Sequence, residues 1–196
     1  MGVRSKGGFT LIEALVALAL LSIVGMKIAL LVNESREARD QVGTAVALED
    51  QALRILDQIA YAILATSREK LFPDPDHPVD SDEIYYEVSL GVENGEVVWS
   101  DQERIGLADN HTQLVWSQNP GKDEELRVVW CNLVGRYLEG ELANGTDDNG
   151  NELIDEQGLS FSLQGDQVSI RLTLERQGPD GSFVQKTVET TVTCRN

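Results

Sequence analysis

Residues 9–32 read FTLIEALVALALLSIVGMKIALLV, an apolar stretch with no proline. About 20 helical residues at 1.5 Å rise each cross the hydrocarbon of a bilayer. Alanine and leucine dominate this stretch, so a helix is the favoured conformation. The remainder of the chain cannot follow it into lipid. Residues 1–32 carry only Arg4, Lys6, Glu13 and Lys27 as charges, a net of +2, whereas residues 33–196 carry 13 basic and 32 acidic side chains, a net of −19. The two parts cannot share one solvent. Arg4 and Lys6 precede the span, which puts the N-terminus on the cytoplasmic side and the acidic body on the other.

With 196 residues, 41% of them hydrophobic, the chain can build one ordinary domain besides the span. The whole-chain charge of −17 argues against a nucleic-acid binder, which needs a basic face for phosphate. It argues equally against docking of the body on anionic lipid heads.

Two charges interrupt the apolar run. Lys27 lies near its outer end, where the ammonium can snorkel to the interface. Glu13 lies near the inner end, where an unpartnered carboxylate costs a few kcal/mol. It either reaches the inner interface, stays protonated, or has a partner. A cleavable signal peptide would not place a glutamate at the head of its apolar region, and no small-x-small cleavage site is clear after residue 26. A plain signal anchor is the alternative reading.

The run Lys6-Gly7-Gly8-Phe9-Thr10-Leu11-Ile12-Glu13 resembles the processing site of type IV prepilins and type II secretion pseudopilins. Four constraints coincide: a basic leader, a glycine, a phenylalanine, and a glutamate at a fixed offset inside an apolar helix. The resemblance implies cleavage after Gly8 by a membrane prepilin peptidase, N-methylation of Phe9, and a part for Glu13 in filament assembly. Cleavage before Phe9 would create an amine near hydrocarbon, and Glu13 of a neighbouring subunit could pair with it, each charge offsetting the other's desolvation. A pair of that kind favours an axial offset between subunits, the geometry of a growing helical filament. The implied organisation is a leader at 1–8, a transmembrane and filament-core helix at 9–32, and a periplasmic pilin-like domain at 33–196. The implied partners are other minor and major pilins or pseudopilins, the peptidase, and the bacterial inner membrane.

Apolar residues recur at spacings of three and four beyond the span, at Val42, Ala45, Val46, Leu48, Ala52, Leu53, Leu56, Ile59, Ala60 and Ile63. This predicts one helix from about residue 10 to 66, stopped by Ser67 and the proline-rich segment 73–78. From residue 83 the pattern turns to short alternating runs: 84–92, 95–100, 112–117, 125–134, 158–164, 167–176 and 183–193. Asn94-Gly95, Gly165-Asp166 and Asp180-Gly181 are turn signals, and the last two strands read as an antiparallel pair. The expected class is α+β, a long N-terminal helix laid on an antiparallel sheet.

Cys131 and Cys194 each fall in a predicted strand. The outer face of the inner membrane is oxidising, so a bridge is expected, closing a long loop at about 3–4 kcal/mol; two buried thiols are the other reading. His77 and His111 have no nucleophile beside them in sequence, and no phosphate-binding glycine loop occurs, so no active site is read. The loop NGTDDNGNELIDEQG at 144–158 does carry chemistry. Asp147, Asn149, Asn151 and Asp155 supply oxygens at positions 1, 3, 5 and 9, with the Leu153 carbonyl near position 7 and Glu156 following, a pattern that suits Ca²⁺. It departs from an EF-hand, with Glu152 at position 6 and Gly158 at position 12. An Asx-rich surface turn is the alternative.

The long acidic body resembles a minor subunit more than a major one. Its long helix, proline-rich break, tryptophan-bearing strands and terminal strand resemble the minor pseudopilin J of type II secretion, and nearly as much the W-type minor pilins of type IV pili. The implied role is structural, at a filament tip. A membrane-tethered, calcium-dependent binding module is the competing class.

Overall fold

The structure is a computed structural model, and it describes residues 10–76, 78–148, 150, 154–178 and 181–194. The chain divides after Val42 into two compact units, the second beginning at Gly43. The first unit is helical. Helix α1 (Leu11–Leu64) starts in it, and its most apolar 18-residue window has a mean hydropathy of 2.6 with none of it buried. This helix is long and apolar enough to cross a membrane.

The second unit contains the last turns of α1 and ten strands: β1 (Thr66–Phe72), β2 (Val79–Ser81), β3 (Glu83–Glu93), β4 (Glu96–Trp99), β5 (Glu103–Leu107), β6 (Leu114–Gln118), β7 (Leu126–Cys131), β8 (Leu159–Gln164), β9 (Gln167–Gln177) and β10 (Phe183–Thr193). A six-stranded sheet runs β1-β3-β5-β6-β7, with β4 paired to β3. A four-stranded sheet runs β10-β9-β8-β2. Every strand pairing is antiparallel. The arrangement is the α+β class expected, the helix lying on antiparallel sheets. β2 and β3 are neighbours in the chain but belong to different sheets. The corner between them is fixed by Ser81, whose hydroxyl accepts from the Glu83 amide at 3.2 Å and donates to the Glu83 carbonyl at 2.7 Å.

One cluster forms the core. Leu48, Ala52, Ile55, Leu56, Ile59 and Ile63 from α1 meet Ile84, Tyr86, Ile105 and Leu114 of the larger sheet and Phe161, Ile170 and Leu172 of the smaller. Their spacing of three and four keeps one helix face inward. Fully burying each of the larger aliphatics contributes about 2 kcal/mol. The stripe expected from sequence is too wide: Val42, Val46 and Leu53 are exposed, and Ile55, outside the stripe, is buried. Leu53 follows buried Ala52 by 100° of helical rotation, which turns it off the inward face.

The turn chemistry accounts for the sheets' connectivity. Asn94 (φ 54°) and Gly95 (φ 88°) both take positive φ, the requirement of a two-residue I′ hairpin, and they join β3 to β4. Gly165 (φ 66°) closes β8 onto β9. β9 and β10 pair over eleven residues without a slip, with Val168, Ile170, Leu172 and Leu174 turned inward at period two on β9. Three strands escape the alternating pattern. β1 begins directly after the helix, where the sequence predicts only a stop; its TSREKLF is mostly polar because only Thr66 and Leu71 are buried. β2 is three residues long, and β5 carries Glu103, Arg104 and Gly106 among its five.

The expected Cys131–Cys194 bridge is not formed. Both cysteines are buried and free. Leu133, two residues after Cys131, accepts a hydrogen bond from the Glu175 amide at 2.7 Å, whereas Cys194 follows Thr193, the partner of Gln167. Gln167 and Glu175 lie about 26 Å apart along β9 at roughly 3.3 Å per residue. The two thiols therefore sit at opposite ends of that strand, far beyond the ~7 Å Cα separation a disulfide spans.

Candidate functional site

The first site is the head of α1. Thr10 stands just before the helix and Glu13 in its first turn. The Thr10 amide donates to Glu13 Oε2 at 2.9 Å, the Thr10 hydroxyl donates to the same oxygen at 2.9 Å, and the Glu13 amide donates to Thr10 Oγ1 at 3.3 Å. This is a reciprocal capping box: two of the orphan N–H groups at a helix start are satisfied, and the carboxylate gains partners from its own chain. The negative side chain also lies at the positive end of the helix dipole. The sequence signal for this box is the Thr-x-x-Glu spacing, which the apolar residues around it conceal. Gly8 and Phe9 lie outside the described residues. Leu11, Ile12, Leu15 and Val16 beside Glu13 are all exposed, so this helix end is apolar around a single fixed carboxylate.

The second candidate is the 144–158 loop. Asn149, Asn151 and Leu153 lie outside the described residues. Asp147 Oδ1 accepts from the Gly150 amide at 2.6 Å. Asp155, at φ 53°, turns its carboxylate back onto the amides of Asn144 (3.0 Å) and Gly145 (3.1 Å to each oxygen), bringing the two ends of the loop together. Asp148, not among the expected ligands, accepts from the Leu142 amide at 3.2 Å and the Asn144 side-chain amide at 2.7 Å. Glu156 turns elsewhere. Its carboxylate is nearly buried and pairs with Arg171 at 3.3 Å, and Arg171 also reaches Glu189 at 3.4 Å. Among the described residues no three His, Cys, Asp or Glu side chains converge on a point that could hold a metal ion.

A third group belongs to the large sheet. Trp116 Nε1 donates to Tyr86 Oη at 3.1 Å and to Glu103 Oε2 at 2.8 Å. Burial, and then the negative charge of Glu103, push the Tyr86 phenol well above its ordinary range. Cys131, whose Sγ accepts from Gln51 Nε2 at 3.7 Å, and Cys194 are likewise pushed up by burial. Such thiols are poor nucleophiles. His111 (φ 54°) is an exposed turn residue, and His77 lies outside the described residues.

Residues 3–26 match the family model of the prokaryotic N-terminal methylation motif. No curated protein and no solved structure gives a significant match to the chain. The matched segment covers the basic leader, the Gly8–Phe9 junction, the Thr10–Glu13 box and the first three quarters of the apolar run. The chain thus carries a prepilin-type N-terminal methylation motif at the head of a helix apolar enough to span a membrane.

Proposed function

We propose that the chain is a minor subunit of a type II secretion pseudopilus. In this reading prepilin peptidase cuts it after Gly8 and Phe9 becomes the methylated N-terminus. It is held in the inner membrane with its body in the periplasm, and it enters the filament near the tip through its N-terminal helix. The role is structural rather than catalytic. The observation that carries the reading is the methylation motif at 3–26 on an apolar helix without buried residues in its first unit. Such a helix needs lipid before assembly and other helices after it. The capping box adds a physical reason for Glu13. Bound to its own Thr10, the carboxylate waits in apolar surroundings at reduced cost, held by the residue next in sequence to the N-terminus that cleavage would create.

Glu13→Val tests the proposal. Mass spectrometry of the membrane fraction should still find cleavage after Gly8 and methylated Phe9, while sheared filaments lose the subunit. Mature protein retaining residues 1–8 would overturn it. A minor pilin of a type IV pilus would pass the same test and is distinguished by which machine fails when the gene is deleted. A tethered binding module would keep its activity in Glu13→Val and with any substitute anchor.

We propose further that the 144–158 loop takes Ca²⁺ through hard oxygens that include Asp147 and Asp155. The support is the alternate-residue spacing and the closure of the loop by Asp155 onto Asn144 and Gly145. Glu156 drops out of the ligand set because Arg171 occupies it. Calorimetry on the full chain in detergent should show Ca²⁺ binding that Asp147→Ala and Asp155→Ala each weaken. No heat and no thermal shift would remove the metal.

A further inference from the structure

Among the described residues five strands of the body are paired on one side only, β1, β2, β4, β7 and β10, and all but β7 are blunted; β4 is four residues long and begins with a glutamate. β10 presents lysine, glutamate and threonines, β2 is three residues long, and β1 is broken by a register shift between Thr66 and Leu71 and followed by Pro73. These are the usual devices by which proteins stop a sheet from recruiting another strand. β7 is the exception. It ends the large sheet, its sequence is Leu-Arg-Val-Val-Trp-Cys, and Leu126, Val128 and Val129 are 61%, 46% and 50% exposed. Among the described residues no strand pairs with its outer side.

The outward groups can be assigned. The Ala108 amide donates to the Gln113 carbonyl and the Asn119 amide to the Gln102 carbonyl, which fixes the phase of the β5–β6 ladder. Residues 113, 115, 117 and 119 therefore face β5, while Leu114, Trp116 and Gln118 turn their N–H and C=O toward β7. Their partners Val128 and Leu126 face β6 in return. Arg127 and Val129 are left with N–H and C=O pointing away from the sheet.

We propose that the β7 edge is a strand-addition site for an extended, basic segment of another protein. The strand enters antiparallel, hydrogen-bonds to Arg127 and Val129, covers Leu126 and Val128, and sets its lysines or arginines against Asp123, Glu124 and Glu125. Those three exposed acids stand at the start of β7, and the net charge of the body disfavours a second acidic copy as the occupant. The site goes beyond the filament reading and does not depend on processing at Gly8.

The probe is a labelled peptide of alternating valine and threonine ending in two lysines, with a two-glutamate version as control, added to the full chain in detergent. Anisotropy should report binding of the lysine peptide and at least about tenfold weaker binding of the glutamate peptide. Amide exchange at Arg127 and Val129 should slow about tenfold or more on binding. Val129→Pro should abolish binding while keeping the wild-type circular dichroism and Tm, because its N–H makes no ladder bond. Arg127→Pro makes the same test if Val129→Pro misfolds. Unchanged exchange at both amides, equal binding of the two peptides, or full binding by a folded proline variant overturns the proposal. A concentration-dependent dimer that Val129→Pro abolishes would assign the edge to a second copy and overturn the basic partner.

Discussion

Glu13 and Tyr86 show how the neighbours of one side chain decide its chemistry. Glu13, in an apolar run, is anchored by the amide and hydroxyl of Thr10. Tyr86, in the core, hydrogen-bonds to Trp116 beside the carboxylate of Glu103. Its phenol is held neutral, with its folded pKa above the unfolded value of 10.0. The stability this gives is complete below that unfolded value and is lost as pH rises toward the folded one, because the unfolded chain ionises first. Thermal melts between about pH 9 and 11 should therefore fall more steeply for the wild type than for Tyr86→Phe. Phenylalanine keeps the ring, and Trp116 retains Glu103 as its acceptor. Parallel limbs would remove the explanation.

The cysteines belong to the same scale and correct an inference from compartment alone. Cys131 and Cys194 sit at opposite ends of β9. A reductant should leave Tm unchanged, and a thiol reagent should count no fast-reacting groups in the native protein and both cysteines after denaturation. A mass lowered by the loss of a hydrogen pair, restored by reduction, would mean that the bridge forms after all. Oxidising surroundings permit a disulfide, but only the strand register says whether two cysteines can meet. That register depends on turns and pairings far from either residue.

At the scale of elements, the readable parts are those with a strong local signal. The long helix announces itself by composition and period, and the β9–β10 pair by alternation over eleven residues. The Asn94-Gly95 hairpin is legible because its turn needs two positive φ values and few other dipeptides supply them. β1, β2 and β5 are not legible, since strands that are short or bury few side chains have no period to read. One oddity in the sequence acquires a reason. Gly158 stands where an EF-hand would have its glutamate. In the fold it directly precedes β8, and its carbonyl accepts from the Thr173 amide at 2.7 Å. It also lies so close to Gly135 that a Cβ would come within 1.8 Å of the Gly135 carbonyl oxygen. That glycine leaves room for segment 134–137, which bridges to Leu174 through Val134 and to Gln157 through Tyr137. Gly158→Ala should destabilise the body by about 2–3 kcal/mol, since backbone must move to admit the methyl. Chemical denaturation measures this directly, with Gly145→Ser, in open space at positive φ, as a milder comparison. A Gly158→Ala protein as stable as wild type would refute the close approach.

For the whole molecule the controlling quantity is the separation of charge. Cutting after Gly8 would remove Arg4 and Lys6. Glu13 and Lys27 then cancel, and the full net charge of −19 belongs to residues 33–196. If the chain assembles as proposed and neighbouring bodies come within a Debye length, roughly 8 Å at physiological salt, successive identical copies would repel. An acidic body of this kind suits a subunit flanked by less acidic neighbours. Quantitative mass spectrometry of sheared filaments should find this chain in far smaller amount than the major subunit. Overexpressing it alone should not yield filaments at low salt. Reversing about six exposed acids on the body to lysine, away from Asp123–Glu125 and the 144–158 loop, should relax that exclusion and raise its copy number. If the charge-reversed protein stays as scarce as the wild type, electrostatic repulsion does not set its stoichiometry. The limit would then lie in the packing of the N-terminal helices, where Glu13 and Phe9 rather than the body would decide which subunit follows which.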